Sequence, residues 1–246
     1  NGLYWLGLII LLPMVIMFKD GMLTKNEFSE IMLILIPSIT VGLLAEKQRR
    51  YVKQLKETYL SALKALAEAT DARDSYTQGH SERVAKYAVS IAKELSLSEY
   101  EINSLEQAAL LHDIGKIAIP DKILHKTGPL DESDWSIMKR HPEHGQRILS
   151  KLGFLSKTLP LVLYHHIRFD KEGYPANEKN IKIPLSARIL TVADAFDAMT
   201  SDRSYRPRLS VKQALEELEK CSGTQFDPKA VKALIKATPE KRYAKA

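Results

Sequence analysis

Two long apolar runs near the start of the chain restrict its fold more than any other feature. Leu3 to Phe18 reads LYWLGLIILLPMVIMF, broken only by Gly7 and Pro13, and Ile31 to Ala45 reads IMLILIPSITVGLLA. Neither carries the one-sided stripe of a helix lying on a soluble core. Each is slightly short of the roughly 20 residues expected of a spanning helix. A pair of buried core helices is the alternative, and a cleaved signal peptide accounts for one run but not for two. The linker Lys19 to Glu30 is short and polar, as a hairpin between two spans requires. Lys47, Arg49 and Arg50 follow the second run, and the positive-inside bias puts that end in the cytoplasm. The expectation is a transmembrane helical hairpin over residues 1–45 in the inner, cytoplasmic membrane, with the rest of the chain cytoplasmic. Asn1, not Met, opens the chain, which reads as a fragment or a processed product.

No helix breaker follows. Val52, Leu55, Tyr59, Ala62, Leu66 and Ala69 recur at alternating spacings of three and four, an a/d seam. Residues 46–72 are therefore expected to form a helical stalk that pairs two chains in parallel. An amphipathic helix lying on its own domain is the competing explanation.

Residues 73–246 have the pattern of a compact all-α domain. A helical stripe runs from Ser81 to Leu95, and Ser98 with Glu101 forms a capping box for the next helix. Asp131 or Ser133 caps a helix expected to end near His141-Pro142, and Leu161 to His166 closes another. Ile183 to Met199, Val211 to Lys220 and Asp227 to Lys236 are further helices, with a small hairpin placed near Ile117 to Ile119. A net charge of +6 is modest and has no Lys/Arg cluster interleaved with aromatics, so no nucleic-acid polymer is expected as partner. The single cysteine, Cys221, excludes an internal disulfide framework.

The chemistry centres on LLHDIGKIAIP, Leu110 to Pro120, where an apolar helix runs into His112-Asp113. Gly115 is expected to allow a sharp bend, with Lys116 at its lip. Taken alone, a His-Asp dipeptide is more often a helix cap than a ligand pair. His80, His141, His165-His166 and Asp194 also fall at helix ends or on apolar faces, where side chains can share a cavity. These donors suffice for two divalent ions sharing a bridging carboxylate. All are nitrogen or oxygen, which points to iron or manganese, with zinc or nickel as alternatives, over a structural zinc site. Two such ions suit activation of a bridging hydroxide for in-line attack on phosphorus. His125 and His144 fit no grouping and are taken as bystanders.

These residues also carry a resemblance. YTQGHSERVA, LLHDIGKIAIPD, MKRHPEHG, HHIRFDKEGYP, ARILTVADAFDAMTSDRSYR and GTQFDP match, in order and spacing, the HD-GYP family of HD-domain metal-dependent phosphohydrolases. The resemblance covers about Asp71 to Lys236. It implies hydrolysis of a cyclic dinucleotide, chiefly cyclic di-GMP, to the linear pGpG or to GMP, with cyclic GMP-AMP or another nucleotide as alternative substrate. A nucleotide- or partner-binding module with weak or no turnover is the reading from another class. GGDEF-type signalling proteins are the expected cellular partners. The resemblance further implies that His80, His112, Asp113 and Asp194 hold one metal, and that Asp113 bridges to a second held by His141, His165 and His166. Lys116 would neutralise the scissile phosphate. Arg203 and Arg206 would contact the other phosphate or a guanine, and Tyr174 and Asp197 are assigned to substrate, Asp197 alternatively to support of a ligand.

Some family members add a glutamate one turn before the first histidine, which supports a third ion. Tyr76 stands there, so two ions are expected. The family pattern HHE, two residues, DG, one residue, GYP is altered at three places. Ile167 replaces the Glu, Phe169 a frequent Trp, and Lys171 the first Gly. Losing an acid beside two ligating histidines removes a means of orienting an imidazole. Lys171 is unfavourable if that position needs a positive φ.

Overall fold

The computed structural model describes residues 12–74, 79–175, 182–202 and 207–238. Tyr76, Arg203 and Arg206 lie outside them, as does most of the first apolar run. The chain divides into two compact units, Asn1–Ser61 and Ala62–Ala246.

In the first unit, residues 12–19 are helical. The linker is shorter than expected, because Thr24 starts the next helix. Thr24 N donates to Glu27 Oε2 at 2.9 Å while Glu27 N donates to Thr24 Oγ1 at 3.4 Å, a reciprocal cap. Helix α1, Lys25–Arg73, then runs unbroken through the second apolar stretch and the stalk. It is long and apolar enough to cross a membrane. The expected seam is turned outward: Val52, Leu55 and Leu66 are 62%, 71% and 46% exposed. A different stripe of α1 is buried in the second unit, formed by Leu63, Ala67, Thr70 and Asp71.

The second unit is all-helical, as expected. Helix α2, His80–Glu94, packs on α3, Glu99–Leu111, and on α8, Leu185–Thr200. Val84, Ala88 and Ile91 of α2 meet an interior that also holds Leu105 and Ala108 of α3 and Ile189, Val192 and Phe196 of α8. Each large aliphatic or aromatic side chain so buried contributes about 1.5–3 kcal/mol. Ser98 and Glu101 form the anticipated capping box on α3.

Two local expectations are corrected. Residues Ile114–Ala118 form a 3₁₀ turn and not a hairpin, because Lys116 N bonds back to Asp113 O at 2.9 Å. After α4, Asp121–Leu124, helix α5, Glu132–Met138, is capped by Asp131 and stops before His141. His141-Pro142 opens a new helix, α6, His141–Leu149, since proline is compatible with a first turn. Helices α7, Leu159–Tyr164, α9, Val211–Lys220, and α10, Pro228–Ala237, agree closely with the sequence pattern.

Candidate metal centre

Three of the histidines are placed by one device at helix C-termini, where carbonyls lack intrahelical partners. His112 Nδ1 faces Ala109 O at 2.7 Å at the end of α3, and His141 Nδ1 faces Met138 O at 2.9 Å past α5. His165 Nδ1 faces Val162 O at 2.6 Å at the end of α7. A carbonyl only accepts, so Nδ1 carries the proton in each ring and the Nε2 lone pair is left for a cation. His80 opens α2, where no spare carbonyl is available, and uses a carboxylate instead. Its Nδ1 lies 2.8 Å from Asp197 Oδ2, and its Nε2 lies 3.3 Å from Asp194 Oδ1.

The donors converge in three overlapping groups: His80, His112 and Asp194; His141, His165 and His166; and His112, Asp113 and His165. Within each group the ligand atoms lie within 4.8 Å of one another. Asp113 reaches toward both ends. Its Oδ2 is 3.5 Å from His112 Nε2 and its Oδ1 is 3.4 Å from His141 Nε2. His141 and His165 bring their Nε2 atoms to 3.4 Å. Oriented lone pairs and an anionic oxygen pair, with no thiolate, fit hard-to-borderline divalent cations.

The electrostatics agree with a cation site. Burial opposes ionisation of Asp113, but the Lys116 ammonium beside it leads the charges that outweigh it and hold its carboxyl well below the usual range. Burial likewise opposes charge on Asp194, and the hydrogen bond from His80, with that ring's own charge, keeps its pKa low. Burial pushes His141 and His165 down and takes His166 to about 3, so these rings stay neutral with lone pairs available. His80 is opposite. Burial disfavours its charge, but hydrogen bonds to Asp194 and Asp197 lift it to about 10.

Lys116 Nζ is bound at 2.7 Å to Asp113 and at 2.8 Å to Asp74. Tyr174 stacks on His166 with ring centroids 4.6 Å apart, so it walls the second histidine group. His125 and His144 belong to none of the groups, as expected.

Of the two roles expected for Asp197, its place fits support of a ligand: it is 1% exposed and faces His80. Besides His80 it receives Arg83 Nε at 2.7 Å, so its carboxylate orients the imidazole and is itself clamped. Arg83 escaped the sequence reading, although its place one turn after His80 on α2 is a usable signal.

The altered loop is built around tight backbone contacts. Lys171 does adopt φ +71°, so the residue there carries the strain that glycine would avoid. Gly173 has φ +106°, and a Cβ there would come 2.3 Å from His166 O. The GTQFDP stretch holds this loop: Phe169 N bonds to Gln225 O at 3.0 Å and Asp170 N to Thr224 O at 2.8 Å. Ile167 is 3% exposed. Among the described residues, His166 is the one imidazole of the five without a hydrogen-bonded Nδ1.

A helical unit with histidines at its helix ends and a shared aspartate between two donor groups defines an HD-type metal-site protein. The chain belongs to the HD-domain family, whose family model matches residues 64–230, and its motifs are those of the HD-GYP type. It is 39% identical over 215 residues to a Vibrio cholerae protein named 3′3′-cGAMP-specific phosphodiesterase 2, covering 86% of this chain and 41% of that protein. It is 41% identical over 187 residues to the Xanthomonas campestris cyclic di-GMP phosphodiesterase response regulator RpfG, covering 75% of this chain and 50% of that protein. The chain thus spans about half the length, or less, of these relatives. The solved structure of Bd1817, an HDG"Y"P protein from Bdellovibrio bacteriovorus, shares the fold at TM-score 0.51 and 17% identity, over 63% of this chain and 50% of that one.

Proposed function

We propose that the chain is a metal-dependent phosphodiesterase for cyclic dinucleotides, with cyclic di-GMP as substrate and linear pGpG or GMP as product. The observation that carries this is the pair of histidine groups joined by Asp113 with Lys116 at its side. The relatives named as cyclic di-GMP and 3′3′-cGAMP phosphodiesterases support the substrate class. His80, His112, Asp113 and Asp194 would hold one divalent ion, and Asp113, His141, His165 and His166 the second, iron or manganese. When bound, the two ions supply Lewis acidity toward the scissile phosphate and the attacking water.

The chain's own residues then do the rest. Lys116, kept charged despite its burial by Asp113 and Asp74, neutralises a phosphate oxygen. Tyr174 offers an aromatic wall beside His166 for a base. Arg203 and Arg206 are proposed for the second phosphate, on the family resemblance alone. Residues 1–45 would anchor the chain in the cytoplasmic membrane. Residues 46–72 would form the stalk, pairing two chains through the outward seam of Val52, Leu55 and Leu66, and 73–246 the catalytic domain. GGDEF-type proteins would make the nucleotide that this domain consumes.

The test is incubation of purified, manganese- or iron-loaded protein with cyclic di-GMP and, separately, 3′3′-cGAMP, with products resolved by chromatography. Linear dinucleotide or mononucleotide is expected from the first. Cleavage of 3′3′-cGAMP alone would reassign the substrate. No cleavage of either, with metal confirmed bound, would leave a binding module.

Two variants probe support of the ligands. Asp197→Asn weakens the hydrogen bond that fixes the His80 ring and takes the charge from the acceptor that Arg83 Nε reaches at 2.7 Å. Metal affinity of the His80 group should fall by about 10–100-fold in a competitive chelator titration. Ile167→Glu places an acid beside His166, the imidazole that has no hydrogen-bonded Nδ1 among the described residues. Metal affinity and turnover should rise about tenfold. Burying the carboxylate should also lower the melting temperature. An unchanged rate would count against a ring-orienting role at this position.

A further inference from the structure

The last turn of α1 and the residue after it, Asp74, reach three separate parts of the site. Asp71 is buried and accepts Ser81 Oγ at 2.7 Å and Ser81 N at 3.1 Å. Helix α2 begins at Gly79, which offers no side-chain cap, so Asp71 caps it from another helix, beside His80. Arg73 grips the turn after His112-Asp113. Its guanidinium donates to Lys116 O and to Ile119 O, both at 2.7 Å, and to Asp121 Oδ1 at 2.8 Å. Asp74 then takes the Lys116 ammonium at 2.8 Å, beside its other partner, Asp113, at 2.7 Å.

The 3₁₀ turn that Arg73 spans has few bonds of its own. Lys116 N reaches Asp113 O at 2.9 Å and Ile119 N reaches Lys116 O at 3.0 Å. Lys116 O is an acceptor for that second bond and for Arg73, so the guanidinium fixes the peptide from which the Lys116 side chain springs. A planar fork suits two carbonyls in a fixed relation better than a single ammonium does. Hydrogen bonds from charged donors are also the stronger class.

We infer that Asp71, Arg73 and Asp74 are positioning residues of the site, through which the incoming helix sets the places of His80 and Lys116. Arg73 and Asp74 act on the phosphate-facing lysine, one through its main chain and one through its ammonium. Asp71 acts on the start of the metal-facing helix. This rests on the phosphodiesterase proposed above for its kinetic consequence, but not for its structural one.

The experiment compares wild type, Arg73→Ala, Arg73→Lys and Asp74→Asn as full chains loaded with manganese. Amide hydrogen exchange is followed by mass spectrometry, alongside kcat, KM for cyclic di-GMP, and metal content. Arg73→Ala should speed exchange of the peptide carrying residues 113–119 by at least about tenfold, since it loses the charge-assisted hydrogen bonds to Lys116 O and Ile119 O. Exchange in α8 and the metal content should be unchanged. Arg73→Lys should recover part of the protection. For both Arg73→Ala and Asp74→Asn, kcat should fall about tenfold with KM within about twofold. Wild-type exchange across 113–119 in Arg73→Ala would overturn the inference, as would a rate loss that only follows loss of metal. A wild type that shows the expected exchange contrast with Arg73→Ala but cleaves no dinucleotide would count against the enzymatic reading and leave the positioning of the 113–119 turn by Arg73 standing.

Discussion

Asp113→Ala is expected to lose both bound metals and to reduce dinucleotide hydrolysis by at least about 10³-fold, several kcal/mol of transition-state stabilisation. The two oxygens of Asp113 face different histidine groups, Oδ2 toward His112 at 3.5 Å and Oδ1 toward His141 at 3.4 Å. Removing the carboxylate takes one anionic donor from each proposed metal at once. It also leaves the buried Lys116 ammonium with Asp74 as its remaining carboxylate. With one of its two carboxylates gone, that cation is less fully neutralised and opposes a divalent ion beside it. The measurement is metal per chain by mass spectrometry, followed by a melting curve with and without manganese. A ligand at a thousand times its Kd stabilises the native state by about 4 kcal/mol, and the variant should show none of that gain. Asp113→Asn keeps the shape with less charge and should fall between. Retention of two metals or of turnover would remove the bridging assignment.

Legibility in the sequence followed the range of the interaction. His112, His141 and His165 are recognisable because each is oriented by a carbonyl three residues back, a local bond that a helix end supplies. The all-α class is legible for the same reason, since stripes and capping boxes such as Ser98 with Glu101 are local. Asp197 was harder. Its partners, His80 and Arg83, are far away in sequence, and nothing near Asp197 distinguishes a clamped carboxylate from one open to substrate. Arg73 and Asp74 escaped entirely because a helix end reveals no acceptor on a distant turn. The start of α6 was misjudged because His141-Pro142 reads equally as a stop and as a first turn. The stalk held two stripes at helical spacing. The larger side chains drew attention to Leu55 and Leu66, yet the smaller set around Ala67 is the one buried.

Gly115 shows the same gap most sharply, and it yields the second large expectation. A glycine after His-Asp suggests a bend that needs glycine's backbone freedom. Gly115 is instead absent from the positive-φ glycines, and its requirement is one of space. A Cβ built there would lie 1.9 Å from His141 O and 2.5 Å from Gly145 N. These are backbone atoms at the start of α6, which cannot rotate aside as a side chain can. Gly145 repeats the theme, since a Cβ there would stand 3.1 Å from Val162 and 3.5 Å from Gly115 N. Two glycines therefore let the turn carrying Asp113 and Lys116 lie directly on the helix carrying His141. Gly115→Ala must push that turn and α6 apart by an ångström or more, the scale at which misplaced catalytic groups cost about 10²-fold. Overpacking of this kind destabilises by about 1–3 kcal/mol, and rigid backbone on the far side puts this site at the upper end. The variant should fold with a clearly lowered melting temperature, bind metal weakly at the second histidine group, and hydrolyse dinucleotide at least about 10²-fold more slowly. Gly128→Ala is the control, because a Cβ there meets nothing within 4 Å and its φ does not demand glycine. Wild-type stability and rate in Gly115→Ala would mean that the two elements do not need this contact, and the spacing between Asp113 and His141 would then require another explanation.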